Sequence, residues 1–241
     1  MILKYLCIIL ARKASKRVPK KNVRTLHNKP LIQWTLDFAT TVSWFDRVFL
    51  STDIEEIMSW DLDEKIHFPF LRPSELCTDE AASEEAIKHV LQHYKASGYQ
   101  VENIVLLQPT SPFRTRARFE RARTMFENSN FTKVVGVSPL KPKFDWYLHK
   151  RGNRVERSNP HLSAQNADKM PNFYFDGSIY ISSTSEFETF GSLTTGKMLG
   201  IEPVHAYETI DIDTEDDFQL AGVAAQLWCD TSSKVGQKPH G

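Results

Sequence analysis

A short apolar run near the N-terminus ends directly in a loop crowded with positive charge. Residues 7–10 are typical of a buried strand, and the first 36 residues contain nine Lys or Arg but no Asp or Glu. In open α/β sheets, ligands bind beyond the carboxyl ends of strands, which is where this loop is expected to lie. We therefore expect the loop to face a strongly anionic ligand, of which a phosphate is the simplest.

Alternating strand and helix patterns follow the basic loop. Apolar runs predict further strands, at residues 47–51, 103–108, 133–137, 177–181 and 198–204. Apolar residues at helical spacing predict helices at residues 30–40, 83–94 and 116–127, and after a cap formed by Thr214 and Asp217. A capping box at Thr52 and Glu55 predicts one short helix. This alternation predicts an α/β fold with a mostly parallel, doubly wound sheet.

The chain has the length and composition of one domain. Its 241 residues are 41% hydrophobic, which is enough to bury a full core. Between about residues 140 and 172 the pattern breaks, and we interpret this stretch as an excursion from the domain. We expect a single domain over residues 1–230 and a flexible tail over residues 231–241.

Charge is distributed unevenly, although the formal net charge is zero. No Lys or Arg lies between Lys197 and Lys234, a stretch that contains eight Asp or Glu residues. A basic N-terminal segment and an acidic C-terminal segment suit a metal–triphosphate site that both ends build. Zero net charge, together with the lack of aromatic residues within the basic loop, argues against a nucleic-acid partner.

Cysteine and hydropathy patterns favour a cytoplasmic protein. The three cysteines form no C-x-x-C pair, and their odd number argues against a disulfide framework. No stretch approaches the ~20 apolar residues of a membrane span, and the N-terminal apolar run lacks a signal-peptide cleavage site. We therefore expect a soluble protein without a membrane partner.

Two histidines are spaced as in a zinc-binding helix. His89 and His93 are four residues apart, but no third ligand or intervening glutamate is near. They also lie off the apolar face of the predicted helix. We expect them to be exposed to solvent rather than bound to a metal.

Five segments carry a family resemblance. In chain order they read ARKASKRVPKKN (residues 11–22, followed by KPLI), RPSELCTDEAAS (72–83), LLQPTSPFRT (106–115), FDGSIYI (175–181) and IDIDT (210–214). In these segments the chain resembles the acylneuraminate cytidylyltransferases, also called CMP-sialic acid synthetases. It departs from them at Ala14, where the family has glycine. Residues 164–171 also lack the arginines with which the family binds the substrate carboxylate.

The resemblance implies a Rossmann-like nucleotidyltransferase fold with a small dimerisation excursion, and therefore a homodimer. The implied reaction joins CTP to an acidic nine-carbon keto-sugar and gives a CMP-sugar and pyrophosphate. Because the carboxylate-binding arginines are missing, another nonulosonate is as plausible a substrate as sialic acid, and an octulosonate stays open.

Arg12, Lys21 and Asp211 are the predicted catalytic residues. Arg12 suits bidentate phosphate binding and Lys21 supplies a point charge. Asp211 and Asp213, two residues apart, place two oxygen ligands for Mg²⁺ on one side of an extended segment. The resemblance implies the same roles for these four residues. It also implies nucleotide contacts by Ala11, Arg12, Ser15, Lys21, Asn22, Ser83, Gln108, Thr110, Ser111 and Arg114. Expected sugar contacts are Gln108, Asp176, Tyr180 and Lys143. For the carboxylate, Lys169 and Lys141 are alternatives to Lys143.

Two other functions stay open. A metal-dependent glycosyltransferase would use Asp211 and Asp213 as its D-x-D motif, and a non-catalytic protein would bind CTP without releasing pyrophosphate. A helix cap is the alternative role for Ser83. Basic loops are also commonly solvated surface, and acidic clusters commonly begin helices.

Overall fold

The computed structural model describes most of the chain. The described residues are 1–78, 81–140, 148–152, 154–157 and 172–235. Most of the expected excursion, and residues 236–241 of the expected tail, lie outside them.

Eleven strands lie within the described residues. In chain order they are β1 (Ile2–Ala11), β2 (Thr25–Leu26), β3 (Lys29–Pro30), β4 (Arg47–Thr52), β5 (Ile66–His67), β6 (Gln100–Leu107), β7 (Lys133–Pro139), β8 (Leu148–Arg151), β9 (Arg154–Arg157), β10 (Phe173–Ser183) and β11 (Leu199–Ile201). Seven of them form one sheet in the order β11-β7-β10-β6-β1-β4-β5, in which only β10 runs antiparallel to its neighbours. The expected α/β fold with a mostly parallel sheet is thus confirmed.

Five α-helices surround the sheet in the part of the chain that the structure describes. They are α1 (Leu31–Thr41), α2 (Ser83–Ala96), α3 (Arg116–Glu127), α4 (Thr184–Phe190) and α5 (Glu215–Val235). Since α5 continues to Val235, the tail expected from residue 231 is helical at its start. No helix among the described residues is both long and apolar enough to cross a membrane.

Helices cover both faces of the sheet. Along β1, Cys7 and Ile9 pack in the cluster formed with α1 and α3, whereas Leu6 and Ile8 pack in the cluster formed with α2 and α4. Each of these four residues is at most 1% exposed. Successive side chains of a strand point to opposite faces, so the apolar run of β1 supplies both cores.

The carboxyl ends of three parallel strands meet at one edge. In β1 and β4, Ala11 pairs with Thr52, and in β1 and β6, Ile9 pairs with Leu107. The segments that follow these strands therefore start side by side, at the edge where open α/β sheets bind ligands. A third apolar cluster covers this edge and contains residues from both ends of the chain, namely Val18, Phe113, Ile212 and Phe218 among others.

One expected helix cap is confirmed and another is wrong. Before α5, the Asp217 amide donates to Thr214 Oγ1 (3.2 Å) and the Thr214 amide donates to Asp217 Oδ2 (2.8 Å). The short helix after β4 is instead a 3₁₀ helix with Ile54 at its N-cap and no side-chain cap. Thr52 Oγ1 is occupied locally, because it accepts from the Ile54 amide (3.1 Å).

The two spaced histidines are half-buried, so the expectation of full exposure is wrong. The rings of His89 and His93 lie 5.3 and 5.0 Å from the ring of Phe70. The ring of His93 is also 5.7 Å from that of His67 on β5. Segment 67–70 contains a proline, which strands rarely tolerate, and it reaches α2 through contacts between segments distant in sequence.

Candidate active site

Side chains from other segments fix the start of the basic loop where it leaves β1. Each binds one backbone group at the junction. The pairs are Arg72 Nη2 with the Ala11 carbonyl (3.0 Å), Asn22 Nδ2 with the Arg12 carbonyl (2.9 Å) and Asp53 Oδ1 with the Lys13 amide (2.7 Å). Because three consecutive residues are held, the protein itself sets the path of the loop.

The loop turns at Lys20 and directs Lys21 towards the C-terminal segment. Lys20 has a φ of 53°, in the left-handed region, and the Lys21 amide donates to the Val18 carbonyl (3.2 Å). Val18 is fully buried and anchors the loop. Ala14, where the family resemblance has glycine, is not among the residues with positive φ, so its Cβ causes no backbone strain.

Asp211 and Asp213 flank a buried residue in the segment that precedes α5. Ile212 between them is fully buried, and its amide donates to the Thr110 carbonyl (2.9 Å). Burial of Ile212 leaves the carboxylates on either side of it to face outward. Lys21 Nζ donates to the Ile212 carbonyl (2.6 Å) and lies 3.4 Å from Asp213 Oδ1, so the two ends of the chain meet here.

A cavity of about 680 Å³ lies between the basic loop, the segment after β6 and this acidic segment. Nine of the expected site residues line it: Arg12, Ser15, Lys21, Asn22, Ser83, Gln108, Thr110, Asp211 and Asp213. Ser83 is the first residue of α2, whose N-cap is Ala82, so Ser83 is not the cap. The basic and acidic ends of the chain therefore face one space.

Asp211 and Asp213 influence each other electrostatically on the cavity wall. Although Asp211 is open to the cavity, desolvation by the protein around it raises the pKa of its carboxyl. A hydrogen bond with Thr110 opposes this rise in pKa, and the negative charge of Asp213 adds to it. Two carboxylates that repel each other at one wall form a favourable position for a cation.

Five expected site residues do not line the cavity. They are Ala11, Ser111, Arg114, Asp176 and Tyr180, all of which are buried. Lys143, the expected carboxylate contact, lies outside the described residues. The nucleotide and sugar contacts of these six residues stay predictions.

Arg114 supports the cavity from the interior. It is 4% exposed, and its guanidinium donates to the Gln108 carbonyl (2.5 Å), to Thr35 Oγ1 (3.0 Å) and to the Ser178 carbonyl (3.1 Å). Burial lowers the pKa of Arg114 to about 9. Since these three bonds go to protein groups, Arg114 positions Gln108, which does line the cavity.

Asp176 belongs to a buried network of ion pairs. Arg118 Nη2 lies 2.5 Å from Asp176 Oδ2, and Arg118 Nη1 lies 3.8 Å from Glu208 Oε2, with all three side chains at most 2% exposed. Ser178 Oγ donates to the other oxygen of Asp176 (2.5 Å). Tyr180 follows Ser178 by two residues on β10. It lies in the core, where burial raises its pKa to about 12.

Three residues that shape the site were not expected as contacts. Arg72 and Arg17 line the cavity, and Arg17 Nη2 lies 3.1 Å from Asp213 Oδ2. Asp53 holds the loop from the end of β4. Each of the three had a feature in the sequence from which a role at the site could have been predicted. Arg72 is the first residue of a matched segment, Arg17 belongs to the basic loop, and Asp53 follows a predicted strand.

Comparison with known proteins decides the family. A model of the family described as cytidylyltransferase matches residues 6–232, which is nearly the whole chain. The chain belongs to the cytidylyltransferase family. The resemblance drawn from the five sequence segments is thereby confirmed.

Named relatives lie at about 30% identity. An N-acylneuraminate cytidylyltransferase of Streptococcus agalactiae serotype V is 30% identical over 220 residues, covering 90% of this chain and 52% of the relative. The chain thus spans about half the length of that enzyme. A CMP-N,N'-diacetyllegionaminic acid synthase of Legionella pneumophila is 30% identical over 93% of this chain and 97% of its own length. A pseudaminic acid cytidylyltransferase of Campylobacter jejuni is 27% identical over 76% of this chain.

Solved structures share the fold of this cytidylyltransferase family member. A CMP:2-keto-3-deoxy-manno-octonic acid synthetase complexed with CTP superposes with a TM-score of 0.63 at 15% identity, covering 93% of this chain and 99% of the other. A 4-diphosphocytidyl-2C-methyl-D-erythritol synthase superposes with a TM-score of 0.65 at 9% identity. At these identities the similarity establishes the nucleotidyltransferase fold alone.

Proposed function

We propose that the chain transfers a cytidylyl group from CTP to an acidic nine-carbon keto-sugar, releasing pyrophosphate. The observation that carries this proposal is the single cavity lined by Arg12 and Lys21 from one end of the chain and by Asp211 and Asp213 from the other. Phosphoryl transfer needs positioning and charge stabilisation more than covalent catalysis, and this arrangement supplies both.

Arg12 and Lys21 are proposed to bind the phosphates that leave. The Arg12 side chain is oriented by donation from Nη1 to the carbonyl of Thr78 (3.1 Å), a residue that also lines the cavity. Lys21 Nζ is held at the Ile212 carbonyl (2.6 Å). Fixed cations of this kind offset the charge that develops on pyrophosphate without reorganising during the reaction.

Asp211 and Asp213 are proposed to hold Mg²⁺, and their chemistry fits it. Mg²⁺ is commonly bound by one or two carboxylates together with phosphate oxygens and water. Among the described residues no group of three or more His, Cys, Asp or Glu side chains is placed to hold a metal ion, so the nucleotide and water would complete the ligand set. When bound, Mg²⁺ would neutralise charge on the phosphate oxygens.

The remaining wall is proposed to bind the nucleoside and the sugar. Ser15, Asn22, Ser83 and Thr110 supply hydroxyl and amide groups for the nucleotide. Gln108, whose carbonyl is fixed by Arg114, is the proposed contact shared by nucleotide and sugar. A nonulosonate is favoured over an octulosonate because the relatives at about 30% identity are named for sialic, legionaminic and pseudaminic acids.

A pyrophosphate-release assay tests the proposed function. Wild-type protein would be supplied with Mg²⁺, each of the four nucleoside triphosphates, and a panel of nonulosonic and octulosonic acids. We expect release with CTP and at least one nonulosonic acid, and loss of release when EDTA removes the metal. Binding of CTP without release, or sugar transfer from a supplied nucleotide sugar to an acceptor, would contradict the proposal.

We also propose a cytoplasmic homodimer, in keeping with a nucleotide substrate that cells hold in the cytoplasm. The support for a dimer is a set of exposed aromatic residues at the start of β10, next to the excursion: Phe173, Tyr174 and Phe175. Large apolar side chains that are exposed at neighbouring positions of a strand are typical of interaction surfaces. Light scattering of the purified chain tests this, and a monomeric mass at micromolar concentration would contradict it.

A further inference from the structure

Both oxygens of Asp213 are occupied by cations from the basic loop. Arg17 Nη2 lies 3.1 Å from Asp213 Oδ2, and Lys21 Nζ lies 3.4 Å from Asp213 Oδ1. The two cations differ in exposure to solvent, since the Lys21 side chain is 12% exposed and the Arg17 side chain is 66% exposed. Lys21 is also fixed at the Ile212 carbonyl, so Arg17 is the partner that is freer to move.

A divalent cation at Asp213 would compete with Arg17 for the same carboxylate. An exposed ion pair is weak and easily exchanged, so Arg17 is able to leave Asp213 when a stronger partner arrives. A guanidinium released on the wall of a triphosphate site has phosphate oxygens as its next partners, and it binds them well.

We propose that Arg17 is a positioning residue that neutralises Asp213 before the metal nucleotide binds and then moves from this carboxylate to the triphosphate. This inference rests on the proposed function, because it takes the cavity as the CTP site. The exchange makes cation and nucleotide binding cooperative. The cation displaces Arg17, which is then available to the nucleotide, and the nucleotide takes up Arg17, which leaves Asp213 available to the cation.

Arg24 provides a matched control. Arg24 Nη1 and Nη2 lie 2.6 and 2.7 Å from the two oxygens of Glu215, so this pair joins the same two segments of the chain. Neither residue lines the cavity. Loss of Arg24 therefore removes an ion pair between the basic loop and the start of α5 without changing the charge on the cavity wall.

The test is Mn²⁺ binding without nucleotide, followed by electron paramagnetic resonance of free Mn²⁺. We expect Arg17→Ala to bind Mn²⁺ about fivefold more tightly than wild type, the size of one exposed ion pair. Arg17→Lys and Arg24→Ala should stay within about twofold of wild type. In an Asp213→Asn background, Arg17→Ala should have no further effect, because the competed carboxylate is gone.

Calorimetry of metal-free CTP binding supplies the second readout, in which Arg17→Ala should bind about fivefold more weakly than wild type. An Arg17→Ala variant whose Mn²⁺ affinity is no higher than that of wild type would overturn the proposal, as would Mn²⁺ binding by neither protein at millimolar concentration. The Mn²⁺ titration needs neither CTP nor sugar. A protein that releases no pyrophosphate would therefore count against the proposed function and not against the Arg17–Asp213 exchange.

Discussion

Basic and acidic side chains form a cluster on the cavity wall and another in the interior. On the wall, Arg17 and Asp213 are 66% and 45% exposed. In the interior, Arg118 and Asp176 are 2% and 0% exposed. The wall pair stays hydrated and contributes little to stability, whereas the interior pair has lost its hydration and depends on the other protein groups around it.

The difference separates residues that bind ligand from residues that hold the site in place. Arg114 belongs to the matched segment LLQPTSPFRT and Arg118 follows that segment by three residues, yet the hydrogen bonds of both go to protein groups. The basic loop resembles the family less closely at Ala14, yet it lines the cavity. A matched motif therefore does not by itself distinguish the two roles, and burial does.

Arg118→Ala should have the largest effect on stability. It leaves Asp176 buried without its cation, which costs about 3–5 kcal/mol of unfolding free energy. Urea unfolding measures this. Arg123→Ala on the same helix is the control, because the Arg123–Glu127 pair is partly exposed, and it should cost at most about 1 kcal/mol. Equal losses of unfolding free energy in the two variants would mean that burial does not determine how much an ion pair matters to stability.

Lys21→Ala should act on turnover rather than on folding. Loss of one fixed charge at the developing pyrophosphate should lower kcat by about 10²–10³-fold. Steady-state pyrophosphate release measures this, with circular dichroism to show that the variant is folded. Lys20→Ala is the matched control, because Lys20 does not line the same cavity. A comparable loss of kcat in both variants would contradict the role assigned to Lys21.

Gly177→Ala changes a position that lies between the interior cluster and the cavity wall, since Gly177 follows Asp176 in sequence and lies near Gln108. Gly177 has a φ of +77°, and an added Cβ would lie 3.3 Å from Ser111 Oγ and 3.5 Å from Gln108 Oε1. We expect a loss of about 1–2 kcal/mol from strain. We also expect a fall in activity, because the Ser111 side chain must give way and the Ser111 amide donates to the carbonyl of Gln108 (3.2 Å).

Gly98→Ala separates these two effects of Gly177→Ala. Gly98 has a φ of +78° with nothing within 4 Å of the added Cβ, so its substitution carries the strain alone. Urea unfolding and pyrophosphate release should show a similar stability loss in both variants and an activity loss only in Gly177→Ala. Unchanged activity in Gly177→Ala would show that crowding at Ser111 does not disturb Gln108.

Thr214→Ala should have the smallest effect, about 1 kcal/mol at neutral pH, because it removes the cap of α5 beside Asp213. Hydrogen bonds from Thr214 hold the pKa of Asp217 below its usual value. This stabilisation is present above about pH 4 and is lost as the pH falls and Asp217 is protonated. Unfolding at several pH values should show the difference from wild type shrinking in acid, while Thr214→Ser behaves as wild type. A stability difference between Thr214→Ala and wild type that grows as the pH falls would contradict the role assigned to Thr214.

Local patterns were sufficient to predict the sheet and much of the site. The apolar run of β1, the helical spacing of α2 and the cap at Thr214 depend on neighbours in sequence, and all three are confirmed. Asp211 and Asp213 were expected at one site with Arg12 because a basic N-terminal segment and an acidic C-terminal segment suit a metal–triphosphate site, and all three residues line one cavity.

What the sequence left open depends on contacts between distant segments. The inward direction of Arg114 follows from where Thr35 and Ser178 lie, and neither residue is near it in sequence. Asp53 gains its role only because β4 pairs with β1. Residue type and spacing do not contain this information, so burial and hydrogen-bond partners had to come from the structure.

The most direct test of a shared site is pyrophosphate release by Arg12→Ala, Asp211→Ala and the double variant, at saturating CTP, Mg²⁺ and the preferred sugar. If both ends of the chain act on one triphosphate, each single variant should lose at least about a hundredfold in rate while staying folded, and the double variant should be little worse than either. Unchanged turnover in either single variant, with the other inactive, would show that the two ends do not act on the same ligand.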